Sequence, residues 1–406
     1  MDCPDEVKEV SIYDTGEGMA FSYGPQHPGT GHCRFIVRVI GDTVLSLEPD
    51  IGFVHRGEEK LCEYKTWITN IPHLERPAIL DAAGLLYPYC LAVEKLMGVD
   101  PPLRAKYIRP IVAELNRIGS HFYYFALYGV FLGLTTTFMW AFGDREFIVD
   151  LVQFMGGQRI THSYFVPGGV RNDVPKKVPS GLVKQFRAWY RDATGKSPSE
   201  DELTDDFQKY VLRVMEFLDA RLDHYWDLIL DNALFMDRTV NVGKLTAQEA
   251  VKLGVVGVTL RACGIKRDVR IDEPYDAYKE FKFEVPIRSE GDSYARAVVA
   301  FEEMRQSIRI ITQAVEALPE GPVKNKQHPV NIRVPAGEAI GRAEAAHGEN
   351  VYYVRSDGTD RPYRVRMLTP SFRNLIVIPY LARGAKIAEI PAIYWSQNVW
   401  PVEWDR

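Results

Sequence analysis

Apolar positions along this chain fall into three regimes. Near the start, Phe35-Ile36-Val37-Arg38-Val39-Ile40 and Thr43-Val44-Leu45-Ser46-Leu47 are short strand-like runs, and Gly41-Asp42 between them predicts a β-hairpin. From Leu80 to about Ala317 the apolar residues recur at helical spacing, interrupted by Gly and Pro clusters. Asp100-Pro101-Pro102 predicts a cap and an N1 proline ahead of one helix, and Thr246-Ala247-Gln248-Glu249 is a capping box ahead of another. After Gly321 strand character returns in Val351-Tyr352-Tyr353-Val354, the turn Ser356-Asp357-Gly358 and Arg364-Val365-Arg366-Met367. The expected class is therefore α+β: an N-terminal β region over 1–66, a helical body over 67–320, and a C-terminal β region and tail over 321–406.

Two stretches depart from this pattern. Phe122 to Gly143 carries no charge over a length that could cross a bilayer. Gly129, Gly133, the Thr135-Thr136-Thr137 run, three tyrosines and the lack of a positive-inside Lys/Arg flank pattern favour a buried helix, a break near Gly133 and a second helix. Residues 171–206 are the most polar of the chain and are expected to be a surface excursion, with helical periodicity resuming at Phe207. Gly195-Lys196-Ser197 within it is no phosphate loop, because Tyr190 stands where that motif requires glycine.

Composition narrows the function. Of 406 residues, 46% are hydrophobic and 12% aromatic, enough to bury a large core. Against 49 Lys and Arg stand 54 Asp and Glu, so a net charge of -5 gives no field for holding nucleic acid. The five cysteines, Cys3, Cys33, Cys62, Cys90 and Cys263, form no C-x-x-C pair and follow no secretory leader, which fits a reducing cytoplasmic compartment. Zinc ribbons and an iron–sulfur cluster held by this chain alone are argued against, so electrons for any redox chemistry come from a partner. A nucleotide-dependent dehydrogenase is set aside for want of a strand–G-x-G-x-x-G–helix unit.

Two loops carry candidate chemistry. Gly24-Pro25-Gln26-His27-Pro28-Gly29-Thr30-Gly31-His32 is rigid by composition; His27 reads as a structural hydrogen-bonding residue, and His32 stands evenly between loop-tip polarity and proton donation to a ligand. Gly52-Phe53-Val54-His55-Arg56-Gly57-Glu58-Glu59-Lys60-Leu61 is a charged run of the kind usually found on a solvated face, in which Arg56 could equally anchor a carboxylate or shape the field near a cluster.

These loops, with Glu63-Tyr64-Lys65-Thr66, Ala92-Val93-Glu94-Lys95-Leu96, Glu114-Leu115-Asn116-Arg117-Ile118, Pro167-Gly168-Gly169-Val170-Arg171, Asp268-Val269-Arg270, Pro362-Tyr363-Arg364 and the final Asp405-Arg406, occur in order along nearly the whole chain. In this they resemble the quinone-site (NuoD-type) subunit of respiratory complex I and related archaeal membrane complexes, a family related to the nickel–iron hydrogenase large subunit. The stretch 171–206 is longer than usual there and reads as an insertion. The resemblance implies a central bundle of long helices flanked by N-terminal and C-terminal sheets. It implies an oxidoreductase/translocase subunit, inactive alone, in a respiratory chain complex. A small iron–sulfur (NuoB-type) subunit, a NuoC-type subunit and membrane-arm subunits would be its partners, in a peripheral arm on the cytoplasmic side of the cell membrane.

The site also follows from the resemblance. Hydrogenases of this fold hold nickel and iron on two C-x-x-C pairs; here Ala78 and Asp81 fall at the early pair and Pro401–Arg406 has no sulfur, so no nickel–iron centre is expected. In quinone-reducing members a hairpin-loop histidine and a tyrosine grip the headgroup. Here the loop is shorter, His32 takes the histidine's place across a gap, and Ile79 stands at the tyrosine position. The expected catalytic residues are His32 and Asp81, with His27, Arg76, Ile79 and Tyr87 contacting the acceptor. His55, Arg56, Glu94, Glu403 and Asp405 are expected on a coupling or proton path. The cluster is expected in the partner and the quinone-like acceptor at the interface, with no cofactor held by this chain. The Val334-Pro335-Ala336-Gly337-Glu338-Ala339 run is similar to the archaeal branches, whose acceptors include sulfane sulfur; a polysulfide reductase subunit and a scaffold with a vestigial cavity are the alternatives.

Overall fold

The computed structural model describes residues 18–27, 30–199, 203–325 and 332–406, apart from the side chains at 79, 80 and 193. The N-terminal sheet is an antiparallel meander of β1 (Met19–Tyr23), β2 (Arg34–Ile40) and β3 (Thr43–Asp50). Phe35, Val37 and Val39 alternate inward on β2 and are sealed from solvent, while Ile36 and Arg38 face out. The Gly41-Asp42 turn forms as the pattern predicts, with Gly41 at φ 61°. The free edge of β3 is stitched to the C-terminal region, since Val44 N–H donates to the Ala385 carbonyl and Gly384 N–H to the Val44 carbonyl, both at 2.8 Å.

The body is built on helices Ala82–Met97, Leu103–Phe131, Thr135–Gly156, Phe207–Tyr225 and Ser293–Glu316. The uncharged 122–143 stretch is a helix end, a break with Gly133 at φ 93°, and a second helix, as expected. Among the described residues no helix is long and apolar enough to cross a membrane. Thr246 forms its capping box with Glu249. The 100–102 expectation needs correcting: the helix begins at Leu103 with Pro102 at the cap position, so Asp100 is too far upstream to cap and pairs with Lys106 at 2.7 Å. Within the polar stretch the chain folds as helix Ser180–Thr194, whose Val183, Phe186 and Tyr190 are buried at helical spacing, Phe186 lying edge-on to Phe147 and Phe217.

A second meander, β6 (Gly337–Ala345), β7 (Gly348–Ser356) and β8 (Arg364–Leu368), packs on helix Ala82–Met97; the short pair Phe165–Val166 and Gly169–Val170 supplies β4 and β5. Contact is close: a Cβ on Gly341 would lie 1.9 Å from the Pro88 carbonyl oxygen. Pro88, inside that helix, has no N–H for the Gly84 carbonyl, and Asn350 Nδ2 on β7 donates to it at 3.3 Å. The segment after β8 is mostly short helices, among them Pro370–Asn374, Ile390–Ser396 and Pro401–Trp404. One contiguous buried core draws residues from the first sheet, the helices, the second sheet and the tail.

Candidate active site at the tail and hairpin loop

Three separate segments converge at one end of the body. The 3-10 segment Arg76–Asp81 packs against the tail helix Pro401–Trp404. The β1–β2 loop approaches the same tail, since a Cβ on Gly31 would lie 3.9 Å from Pro401. Glycine is required at the base of that loop: Gly24 has φ 94°, and a Cβ there would lie 2.2 Å from the Cys33 carbonyl oxygen. Pro28 and Gly29 of the loop motif lie outside the described residues.

Asp81 is buried and spends both carboxylate oxygens on backbone. Oδ1 accepts from Gly84 N–H at 3.1 Å, capping helix Ala82–Met97, and Oδ2 accepts from Ala346 N–H at 2.5 Å, tying that helix to the β6–β7 turn. Burial pushes its pKa up, against the nearby Arg117 guanidinium and the Ala346 N–H, which pull it down. The adjoining turn residue, His347, is 3% exposed, and its Nδ1 lies 2.5 Å from Glu403 Oε1, in the tail. On the other side of the ring Nε2 lies 3.2 Å from Ser120 Oγ. Burial lowers the imidazole pKa, but the Glu403 and Asp81 carboxylates together outweigh it, and the net displacement is upward. Glu403 is fixed in turn: Oε2 accepts from Ser371 N–H at 3.1 Å and its carbonyl accepts from Thr369 Oγ1 at 2.7 Å. Gly257 makes room for the turn, because a Cβ there would lie 2.4 Å from the His347 carbonyl oxygen.

Behind this pair runs a buried ionic network. Asn398 Nδ2 bridges the Ala346 carbonyl and His121 Nδ1, each at 3.4 Å, and His121 Nε2 lies 3.0 Å from Glu303. Glu303 holds Arg261, which reaches Glu344 at 2.8 Å; burial and the Asp268 carboxylate push Glu344 up to about 7. Glu114 accepts from Arg117, Arg270, Tyr278 and Ser307. Every one of these charges has an opposite neighbour, as burial demands.

The other expected site residues separate into groups. His27 and His32 are exposed, His27 with its ring 4.5 Å from Tyr23, and Arg76 is exposed. The side chain of Ile79 lies outside those described. Asp405 locks the charged loop: Gly52 and Val54 N–H donate to its carboxylate at 2.8 and 2.9 Å, and His55 Nδ1 lies 2.5 Å from its carbonyl oxygen. Arg56 pairs with buried Glu58 at 2.7 Å. Beside this lock opens a cleft of about 490 Å³, lined by Gly52, Glu59, Arg364, Arg366, Trp404 and Arg406 among others. Tyr87 and Glu94 belong to a different cluster: the Tyr87 hydroxyl donates to Asp276 at 2.5 Å, and Glu94 holds Arg109 and accepts from Gly168 N–H at 2.7 Å. Sequence reasoning missed His347, Ser120, Asn398 and His121; the His-Gly of a hairpin turn, His347-Gly348, was the available signal.

A nickel–iron centre does not fit this place. Ala78 has no ligand atom, both Asp81 oxygens are engaged by backbone N–H, and the described cysteines Cys33, Cys62, Cys90 and Cys263 are buried and scattered. Among the described residues no group of three or more His, Cys, Asp or Glu could hold a metal ion.

The sheets, the helix bundle and the thiolate-free end define the class: a hydrogenase-large-subunit-like α+β fold. A solved structure of the membrane-bound sulfane sulfur reductase, an archaeal respiratory membrane complex, contains a chain matching it with TM-score 0.84 and 32% identity over 97% of this chain and 100% of that one. The family described as "Respiratory-chain NADH dehydrogenase, 49 Kd subunit" matches residues 132–333 and 326–406, and the chain belongs to that family. An NADH-quinone oxidoreductase subunit of Syntrophobacter fumaroxidans is 38% identical over 384 residues, covering 94% of this chain and 95% of that protein. Its counterpart in the NADH-quinone oxidoreductase of Geobacillus thermodenitrificans is 38% identical over 385 residues, covering 94% and 97%.

Proposed function

We propose that this chain is the acceptor-site subunit of a complex I-type, membrane-associated oxidoreductase. An iron–sulfur (NuoB-type) partner delivers two electrons to a quinone-like acceptor, two protons join its oxygens, and the reaction drives ion movement in membrane-arm subunits. A NuoC-type subunit completes the peripheral arm on the cytoplasmic side. The observation that carries this reading is the convergence of the hairpin loop, Arg76–Asp81 and the Pro401–Trp404 tail on one buried titratable pair, in a fold whose relatives are quinone oxidoreductase subunits. Such a junction can gate a proton beside an acceptor while electrons tunnel in from the partner. Of the residues expected from sequence, His32 in the loop and Asp81 in the 3-10 segment are those we place nearest the acceptor, with His27, Arg76 and Ile79 as further contacts; Tyr87, turned to Asp276, is left out. His55, Arg56, Glu403 and Asp405 are assigned to the path that couples loop and tail; Glu94, held by Arg109 and Gly168 N–H in the other cluster, is left out.

The likeness to the sulfane sulfur reductase chain favours a second reading, in which polysulfide is cleaved to two thiols by two electrons and two protons. Turnover of the intact membrane complex with a short-chain quinone analogue and with polysulfide, under one electron donor, separates the two. Quinone reduction supports the first reading, polysulfide reduction alone replaces it with the second, and turnover of neither leaves a scaffold.

A further inference from the structure

Resting on the acceptor-site reading, we propose that His347 and Glu403 act together as the proton store of the site, a positioning pair that gives up one proton when the acceptor is reduced. Glu403 is expected from sequence on a proton path, and two other residues expected at the site do not fill this role. Both Asp81 oxygens accept from backbone N–H, so moving its proton would cost a helix cap or the tie to the β6–β7 turn. Tyr87 is turned to Asp276 in another cluster. The His347–Glu403 pair, by contrast, is nine-tenths buried on both sides and joins the β6–β7 turn to the tail against which the loop and Arg76–Asp81 pack.

Its geometry suits a group that must change protonation without moving. Glu403 is held by Ser371 N–H and Thr369 Oγ1 whichever partner carries the proton. Ser120 Oγ faces Nε2 and can donate or accept as its hydroxyl rotates, so charged and neutral imidazole are both satisfied. The groups facing the ring are Glu403 from the tail, Asp81 from the 3-10 segment, and Arg117, His121, Tyr123 and Tyr124 from helix Leu103–Phe131. Glu403 and Asp81 favour the imidazolium; Arg117 and burial oppose it, and the balance is upward. As the acceptor takes two electrons from the partner's cluster it becomes basic. The pair, imidazolium with carboxylate, gives up the Nε2 proton by way of the Ser120 hydroxyl to the reduced atom and is left as neutral imidazole whose Nδ1–H still faces the Glu403 carboxylate. Behind the pair, Asn398 ties the neighbouring Ala346 carbonyl to His121, and His121 faces Glu303, so the ring sits beside a polar and not an apolar wall.

The test uses the intact membrane complex, with turnover measured from acidic to alkaline pH on whichever acceptor it reduces. In the unmodified complex turnover falls as pH rises through the raised imidazole pKa. His347→Arg keeps the charge pair but cannot release its proton, and is expected to assemble, lose that limb and run about 10²-fold slower. Glu403→Gln, which removes the anion holding the imidazolium, is expected to move the limb to lower pH. A His347→Arg complex with unchanged rate and pH profile overturns the proposal. Should that variant not assemble, an unmoved limb in Glu403→Gln, or no falling limb in the unmodified complex, overturns it as well. Absence of turnover on either acceptor would instead sink the acceptor-site reading.

Discussion

Glu114→Gln should loosen the centre of the helical body in the assembled complex. Glu114 is fully buried and accepts from Arg117 Nε at 3.0 Å, Arg270 Nη1 at 3.1 Å, Tyr278 at 2.7 Å and Ser307 at 2.6 Å. Burial raises its carboxyl pKa, but the two guanidiniums and the two hydroxyls overcome this and hold it down at about 2. A folded-state pKa below the unfolded one means stability fully present above the unfolded value, near 4.5, and lost as pH falls toward about 2. That displacement corresponds to about 3 kcal/mol at neutral pH. The glutamine would also leave buried Arg117 with backbone carbonyls as its remaining partners, whereas Arg270 keeps Asp268 at 2.7 Å; breaking a buried pair costs about 3–5 kcal/mol. Hydrogen exchange in peptides from helices Leu103–Phe131 and Ser293–Glu316 reads the loss locally, and about 3 kcal/mol accelerates the slowest amides on the order of 10²-fold. Exchange within a few-fold of the parent would refute the reasoning. Adding Arg117→Met to Glu114→Met should recover part of the loss, since Arg270 keeps Asp268, and a double variant no better than the single would show that orphaned charge is not its cause.

Asp405→Ala removes the acceptor for Gly52 and Val54 N–H, and should open the 51–57 loop by about 1–3 kcal/mol, seen as faster exchange and proteolysis there with the helical body unchanged. Glu75 is pushed up to about 7 by burial, against the Ser163 hydrogen bonds that pull it down. Its folded pKa lies above the unfolded 4.5, so stability around helix Ile71–Leu74 should decline as pH rises between those values and stay level above; Glu75→Gln should abolish that slope in exchange corrected for intrinsic rates. Gly257→Ala, placing a methyl 2.4 Å from the His347 carbonyl at φ 67°, should displace the β6–β7 turn and cut turnover more than it cuts assembly, measured by activity per mole of purified complex.

What could be read in advance depended on how local its cause was. The β2–β3 hairpin, the break at Gly133 and the Thr246–Glu249 box are set by a few adjacent residues, and all appear where the pattern puts them. Helix Ser180–Thr194 was hidden because its charged face dominates the composition, although Val183, Phe186 and Tyr190 kept the helical spacing. The Asp100 cap failed because the helix starts further along, and proline at the cap position leaves no side-chain acceptor. In the site, Asp81 and Glu403 were picked out, but what joins them was not: Asp81 meets Ala346 across 265 positions and His347 meets Glu403 across 56. Tyr87, six residues after Asp81, stands about 240° around the helix from it and so faces Asp276.

The proline in helix Ala82–Met97 leaves a carbonyl that only the second sheet answers, through Asn350. Neither element is chemically complete without the other, although 266 positions of chain separate that carbonyl from its donor. The side chain at 350 thus answers for the residue type at 88. An N–H at 88 would relieve Asn350 of one of its two carbonyls, the other being Leu85 at 3.3 Å, whereas a proline there leaves the Gly84 carbonyl to a donor on that strand.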